Sequence, residues 1–446
     1  MKAKLCFFDD NYLAARPGVT RRFFHPERLG GFEDPDASLQ TYTSFFFDPL
    51  VKKFRLYYEI PDPKFGGTEI RKLMLAEGER VEDFLTGRAT RRPVEGLCAH
   101  GVHGCGVTLN EAEGRYLLTG NFHADDRQER RMVVAVSADG VHFDGMRPIW
   151  SDYSDTYNSV YYNPDRKEYG MTCRAALKDR RIFLRRSPDG ERWDDPALIL
   201  HPTGAEGAGV QYYAMGVSHG DGLFYGLLWR FVTDPGRPDF TDMSGTMEND
   251  LYYSYDGVYF MPTGLSPVCD RPLPPAYGSK QMWLLNLCED GAGRHILCGG
   301  GAGISHGSSY GPDKFCSTLF YGIRKDGFCA LEGTGKNSVV YTKPFLIEDG
   351  ALLANFDARG GRLEAAVLDG KGEPIEGFGF EDCDGFAGEE AVAGTVRWQG
   401  AELGSLAGRT VRLALRLNGA LLYTLTFEGR PCLRRPQISL NDPRPL

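Results

Sequence analysis

A phrase of the form Ser-x-Asp-Gly-x-x-aromatic recurs along this 446-residue chain. It reads Ser137-Ala-Asp139-Gly140-Val-His-Phe143, then Ser187-Pro-Asp189-Gly190-Glu-Arg-Trp193, then Ser254-Tyr-Asp256-Gly257-Val-Tyr-Phe260. Degenerate copies carry Gly78 before Phe84, and Asp326-Gly327-Phe328. The five glycines are 62, 50, 67 and 70 residues apart. One supersecondary unit used five times predicts a closed or stacked array. The Asp-Gly pair reads as a hairpin turn and the aromatic as its plug, so these aspartates shape turns and are poor catalytic candidates.

A second phrase opens the units. Phe47-Asp48-Pro49 before Phe54-Arg-Leu56-Tyr57, Leu109-Asn110 before Tyr116-Leu117-Leu118, and Tyr162-Asn163-Pro164 before Tyr169-Gly-Met171 each read strand, tight turn, strand. Weaker copies stand at Gly220-Asp221-Gly222 and Asp290-Gly291. A unit is then strand, hairpin, strand, variable connection, strand, Asp-Gly hairpin, strand. That is a four-stranded blade. The units fall at 40–90, 98–145, 156–197, 208–262 and 281–332. The predicted fold is all-β, with a five-bladed β-propeller catalytic domain over 1–335. After Gly333 short alternating strands such as Leu363-Glu-Ala-Ala-Val-Leu368 and Val411-Arg-Leu-Ala-Leu-Arg-Leu417 take over, predicting a β-sandwich over 338–432. Residues 433–446, rich in Pro and Arg, read as a surface tail.

A net charge of −9 argues against nucleic acid or an anionic membrane surface as partner. No run approaches the ~18–20 apolar residues that span a bilayer. The opening, Met-Lys-Ala-Lys-Leu-Cys-Phe-Phe-Asp9-Asp10, turns acidic too soon for a secretory signal. Eleven scattered cysteines fit free thiols in a reducing compartment, so a cytoplasmic location is expected.

In such an array the first strands of all blades point one end at a shared axial funnel. Residues at the starts of those strands converge there. The windows are Gln40, Thr41, Thr43 and Ser44; His100 and His103; Asp152, Asp155, Asn158 and Ser159; Glu206, Gln211, Tyr212 and Tyr213; and Ser279, Lys280 and Gln281. Acids, amides, aromatics and imidazoles suit sugar chemistry, in which one carboxyl is acid and a second is base or nucleophile. Asp155 and Glu206 stand in polar loops before strands, with Asp10 as third acid and Glu248 as a rival. Arg174 ends a strand and could clamp a hydroxyl or hold Asp155 ionised. Cys98-x-His100-x-x-His103-x-Cys105 is too compressed for a zinc site, so no metal is expected and His103 reads as a polar funnel residue. Gly299-Gly-Gly-Ala-Gly-Ile-Ser305-His306 lacks the Lys-Ser/Thr of a phosphate loop and reads as a tight loop that brings His306 to the funnel.

The blade phrases with the trailing strands resemble the five-bladed propeller glycoside hydrolases of the invertase and arabinanase type. Phe8-Asp9-Asp10 with His25-Pro26, Asp155-Thr-Tyr-Asn158, Gly299-Gly with His306-Gly307, and Ala354-Asn355-Phe-Asp357-Ala-Arg-Gly-Gly are similar to segments of a bacterial branch of that superfamily. The resemblance implies three funnel acids in chain order. Asp10 would be base or nucleophile, Asp155 would orient and tune charge, and Glu206 would be the acid. From their places at the funnel, His103, Asn158, Arg174, Gln211, Tyr212, Gln281 and His306 would bind substrate. The chain lacks the invertase phrases Asn-Asp-Pro-Asn-Gly and Arg-Asp-Pro, and Glu206 is not beside a cysteine. The implied activity is hydrolysis of O-glycosyl bonds, exo-acting on a small carbohydrate, a furanoside first, without a cofactor. A phosphorylase and a non-catalytic glycan-binding propeller are the alternatives. The sandwich would brace the propeller or serve a homo-oligomer.

Overall fold

The computed structural model describes residues 2–35, 37, 40–61, 71–97, 101–123, 130–150, 154–175, 180–220, 222–234, 236, 244–308 and 316–432. It is nearly all β, and it divides into two compact units. One is His25–Gly322; the other joins Met1–Phe24 to Ile323–Leu446.

The His25–Gly322 unit is built from five antiparallel four-strand groups. Group one is Thr41–Asp48, Lys53–Pro61, Arg71–Gly78 and Thr90–Pro93. Group two is Val102–Asn110, Arg115–His123, Arg130–Ser137 and Asp144–Trp150. Group three is Ser159–Asn163, Glu168–Cys173, Ile182–Ser187 and Ala197–Leu200. Group four is Val210–Gly220, Leu223–Thr233, Gly245–Ser254 and Met261–Pro262. Group five is Gln281–Glu289, Arg294–Ala302 and Cys316–Arg324, completed by Glu27–Phe32 from near the chain's start. The first strands pack one on the next in order, and the fifth packs back on the first. Apolar clusters fill the spaces between neighbouring groups, such as Phe45, Leu56, Tyr58, Ile296 and Phe320 between groups one and five.

The repeated turn phrase does more than reverse the chain. Ser137 Oγ donates to Asp139 Oδ1 at 3.0 Å and accepts from Gly140 N–H at 2.8 Å, and the Ser187 and Ser254 phrases repeat both bonds. The glycines take φ of 73°, 75° and 71°, which other residues resist. Each turn then docks on the preceding group. Tyr57 Oη donates to Gly140 O at 2.9 Å, Arg115 Nη1 to Asp189 O at 3.2 Å, and Tyr161 Oη to Gly257 O at 2.5 Å. The phrase is thus a joint between groups.

The other unit holds one connected nine-stranded sheet. Its longest strand, Thr410–Pro431, runs through Gly419 as a single bent element where the sequence predicts two. Phe345 faces both Val411 and Pro431 of it, so the sheet curls around a core that includes Trp398, Phe427, Leu5 and Phe7. The domain boundaries differ from the predicted 1–335 and 338–432. Lys2–Cys6 pairs with Thr424–Glu428, and Val19–Phe23 pairs with Cys329–Gly333, which draws the first 24 residues and Ile323 onward into this sheet. Asp326, in the last degenerate turn, pairs with Lys4 at 2.8 Å here. The predicted tail, 433–446, lies outside the described residues. No helix among the described residues is long and apolar enough to cross a membrane.

Candidate functional site

In each antiparallel group the second strand returns to the end where the first began. First-strand starts and second-strand ends therefore share one face of the ring. Bulges sit there. Thr41 faces Glu59 and Ser44 faces Tyr57, so Tyr42 and Thr43 together oppose Tyr58. Tyr213 is the extra residue between the pairs Tyr212–Arg230 and Ala214–Trp229. A bulge re-aims a side chain, and here both tyrosines enter one aromatic cluster. The Tyr42 ring stacks on Tyr157 at 6.3 Å and on Trp229 at 6.0 Å, and meets the His103 edge at 5.0 Å. Tyr213 lies 5.9 Å from Trp229.

Charges ring this cluster. Asp155, its side chain 56% exposed, has Oδ1 3.9 Å from His103 Nε2 and Oδ2 3.8 Å from Arg174 Nη1. Arg174 and Arg180 both lie over the Tyr213 ring, at 4.2 and 4.6 Å. Arg180 Nη1 donates to Gln211 Oε1 at 2.7 Å, and Tyr213 Oη lies 3.2 Å from His306 Nε2. Five expected residues thus meet: Asp155, His103, Arg174, Gln211 and His306.

The other expected residues do not join them. Asn158 is wholly buried, and its Nδ2 donates to Gly104 O and Thr156 O at 3.3 and 3.0 Å. Gly104 permits that approach, since a Cβ there would sit 2.0 Å from Thr156 O. Gln281 is buried and donates to Ile304 O at 2.8 Å. Both amides staple the backbone.

Glu206 and Tyr212 form a separate knot. Glu206 closes a capping box on the short helix Gly204–Glu206, accepting from Thr203 N–H at 2.7 Å and from Tyr212 Oη at 2.7 Å. Burial works against its charge, but the Thr203 and Tyr212 hydrogen bonds outweigh it and hold the carboxyl below its ordinary range. A general acid must be protonated near the working pH, so this carboxylate is a poor acid and a good cap. The rival, Glu248, is held by Arg230 at 2.7 Å and Arg271 at 3.1 Å. Asp10 belongs to the other unit, where Arg16 and Arg21 grip it at 3.1 and 2.5 Å. Burial opposes its charge, and those two guanidiniums lower its pKa nonetheless. Each of the three expected acids thus has its own set of partners: Arg16 and Arg21 for Asp10, His103 and Arg174 for Asp155, and Thr203 and Tyr212 for Glu206. His100 and Asp152 lie outside the described residues.

Sequence reasoning missed Tyr42, Glu59, Arg71 and Arg180. Glu59 is wholly buried on the second strand of group one, with Oε1 accepting from Cys105 N–H at 2.6 Å and Oε2 3.3 Å from Arg71 Nη1. Burial pushes its carboxyl up to about 7 despite Arg71. The signal was present: Tyr57-Tyr58-Glu59-Ile60 places one acid inside an apolar strand.

A cavity of 820 Å³ opens at the opposite ends of the first strands. Residues from all five line it, among them Phe46, Leu109, Tyr162, His219 and Leu287. Of the residues expected at the funnel, Ser159 alone does. Volume and chemistry thus sit at opposite ends, with Tyr157 on both: it lines the cavity and stacks on Tyr42. We place the candidate site where the convergent ionisable groups are, because reactions need them and volume alone does not supply them.

No family model matches this chain, and no curated protein matches it. Solved structures similar to it include an α-L-arabinofuranosidase from Podospora anserina in complex with cellotriose, 8% identical, over 68% of this chain and 98% of that one, with a TM-score of 0.47. An N-acetylgalactosamine deacetylase from F. plautii is 11% identical over 70% of this chain and 97% of that one, with a TM-score of 0.48. The catalytic domain of an α-L-arabinofuranosidase from Coprinopsis cinerea is 9% identical over 67% of this chain and 97% of that one, with a TM-score of 0.46. Likeness at that level carries no argument about what this chain does.

Proposed function

We propose that the His25–Gly322 unit is a five-bladed β-propeller that acts on O-glycosyl bonds of a small carbohydrate, as an exo-acting hydrolase with furanosides first among its substrates. The observation that carries this reading is Asp155, an exposed carboxylate set between His103 and Arg174 beside the wall of Tyr42, Tyr157, Trp229 and Tyr213. Aromatic faces stack on sugar rings, and a carboxylate stabilises the positive charge that grows on the anomeric carbon. Arg174 and His103 flank the Asp155 carboxylate and fix its direction. In this reading Asp155 is the base or nucleophile. His103 and His306 border the same space as donors to substrate hydroxyls. Ring closure by the five first strands supports the propeller.

One observation favours a second reading, phosphorolysis. Arg174, Arg180 and His306 gather around Tyr213, and guanidinium pairs bind phosphate well.

The test is product release from a panel of aryl furanosides, aryl pyranosides and plant oligosaccharides, with and without phosphate, for the parent and Asp155→Asn. Turnover lost in the variant supports the hydrolase. Turnover that needs phosphate favours the second reading. Saturable glycan binding without product in either protein replaces both with a binding module.

A further inference from the structure

We propose that the buried Glu59–Arg71 pair is a positioning clamp that holds Tyr42 in a strained conformation, and that Tyr42 in that conformation is the wall of the site that meets the sugar. The second half rests on the glycoside reading; the first does not.

Tyr42 has φ of 46°. The other non-glycine residues described with positive φ are Lys52, Lys167, Asp326 and Gln399, and all four lie in turns. Tyr42 lies inside a strand. A bulky aromatic in the left-handed region is a true outlier, and it persists only where its surroundings over-determine it. The surroundings here are specific. Arg71 Nη1 donates to Thr41 Oγ1 at 3.0 Å and to Glu59 Oε2 at 3.3 Å, and its guanidinium lies 5.2 Å from the centre of the Tyr42 ring. Glu59 also receives Cys105 N–H, which ties the first strand of group two to the same carboxylate. The clamp thus grips the residue before Tyr42, the ring of Tyr42, and the strand that carries His103.

A buried ion pair is weak evidence for stability, because apolar residues of the same volume often serve as well. A pair that fixes one conformation has a reason to stay. The half-buried Tyr42 ring in turn touches Tyr157, Trp229 and His103, and His103 faces Asp155. Glu59 and Arg71 are therefore positioning residues that act through Tyr42. The titratable and charged groups around the clamp are Arg71, the Cys105 thiol and Tyr42, with His103, Asp155 and Tyr213 beyond the ring. Glu59, raised to about 7, would exchange its proton near neutrality and alter the grip on Arg71.

Three measurements test this. The first compares thermal melting of Tyr42→Gly and Tyr42→Ala. In an ordinary strand the glycine variant is the weaker of the two. Here the glycine variant should melt higher, and that order should revert to the ordinary one when Glu59→Gln is added. The second follows tryptophan emission from pH 5 to 9 with no ligand. The parent should show a step near pH 7 that is lost in Trp229→Phe and in Glu59→Gln. The third is KM and kcat for Glu59→Gln, with KM raised roughly tenfold, the size of one displaced aromatic contact, and kcat changed less. An alanine variant that melts higher than the glycine one, or an emission profile identical in parent and Glu59→Gln, overturns the clamp. The expected melting order and emission step in a protein that neither binds nor turns over sugars would keep the clamp and overturn the sugar-facing role.

Discussion

Arg174 donates from Nε and Nη2 to the Tyr213 carbonyl at 3.2 and 3.1 Å while its guanidinium lies 4.2 Å from the centre of the Tyr213 ring. One side chain thus fixes both the backbone and the ring of a bulge residue from the neighbouring group. Lysine cannot reproduce the planar fork. Arg174→Lys should cost about 1–3 kcal/mol, as loss of charge-assisted hydrogen bonds does. In a unit of this size that lowers the melting temperature by about 2–4 °C per kcal/mol. Turnover on any accepted glycoside should fall as well. A variant with parental melting and turnover would remove Arg174 from the site.

Glu206→Gln should leave turnover near the parent's. Its effect should appear in stability, with a definite sign. A carboxyl held below its ordinary pKa contributes stability above the unfolded value of about 4.5 and loses it as pH falls through the folded value. Urea unfolding should show the parent the more stable at pH 7, with the gap narrowing as pH falls below about 4.5. Turnover abolished at pH 7 in a fully folded variant would restore Glu206 as an acid.

Glu59 should act in the opposite direction. Its carboxyl is raised from 4.5 to about 7, so between those values the folded protein holds a proton that the unfolded chain releases. Stability should fall as pH rises through that window, by an amount on the order of 1–3 kcal/mol. Below pH 4.5 the two states are protonated alike, so the slope vanishes and the contribution is fully present. Denaturant melts of parent and Glu59→Gln from pH 4 to 8 would read it as a slope present in one and absent from the other.

The joints between groups should be sensitive to one methyl group. At Gly257 φ is 71°, and a Cβ would come within 2.9 Å of Asn163 Nδ2 and 3.1 Å of the Phe224 ring. Gly257→Ala should cost about 1–2 kcal/mol for the left-handed backbone alone, with more from the crowding. Tyr161→Phe, which loses only the bond to Gly257 O, should cost about 1 kcal/mol. Equal melting of both variants and the parent would show that the turn does not join the groups.

The turns were legible in the sequence because Ser, Asp and Gly act within a few residues of one another. Ser137 with Asp139, and Ser254 with Asp256, make their bonds as local chemistry dictates. The all-β character followed from the same spacing. What depends on distant partners was not legible. Lys2–Cys6 carries no mark of its pairing with Thr424–Glu428, so the sequence assigns the first 24 residues to the propeller where the structure assigns them to the other unit. Glu206 reads as an acid because it precedes a strand, and its bond to Thr203, three residues earlier, shows only in the fold. Tyr42 was passed over within its own window of Gln40, Thr41, Thr43 and Ser44. A bulge turned it into the cluster, and bulges depend on the neighbouring strand.

Glu27–Phe32 completes group five by pairing with Cys316–Arg324, across almost the whole length of its unit. Groups one to four are each contiguous and can assemble as they are synthesised. Group five cannot, because one of its strands is among the earliest made and its partner comes nearly three hundred residues later. Until then the early strand waits with an unpaired edge, open to wrong partners. Pairings of such long range are slow to form. Maturation of this protein is thus gated at its last joint: the ring has no complete form until synthesis has passed Arg324, and a chain cut short of Cys316 would carry four groups and a permanently open edge.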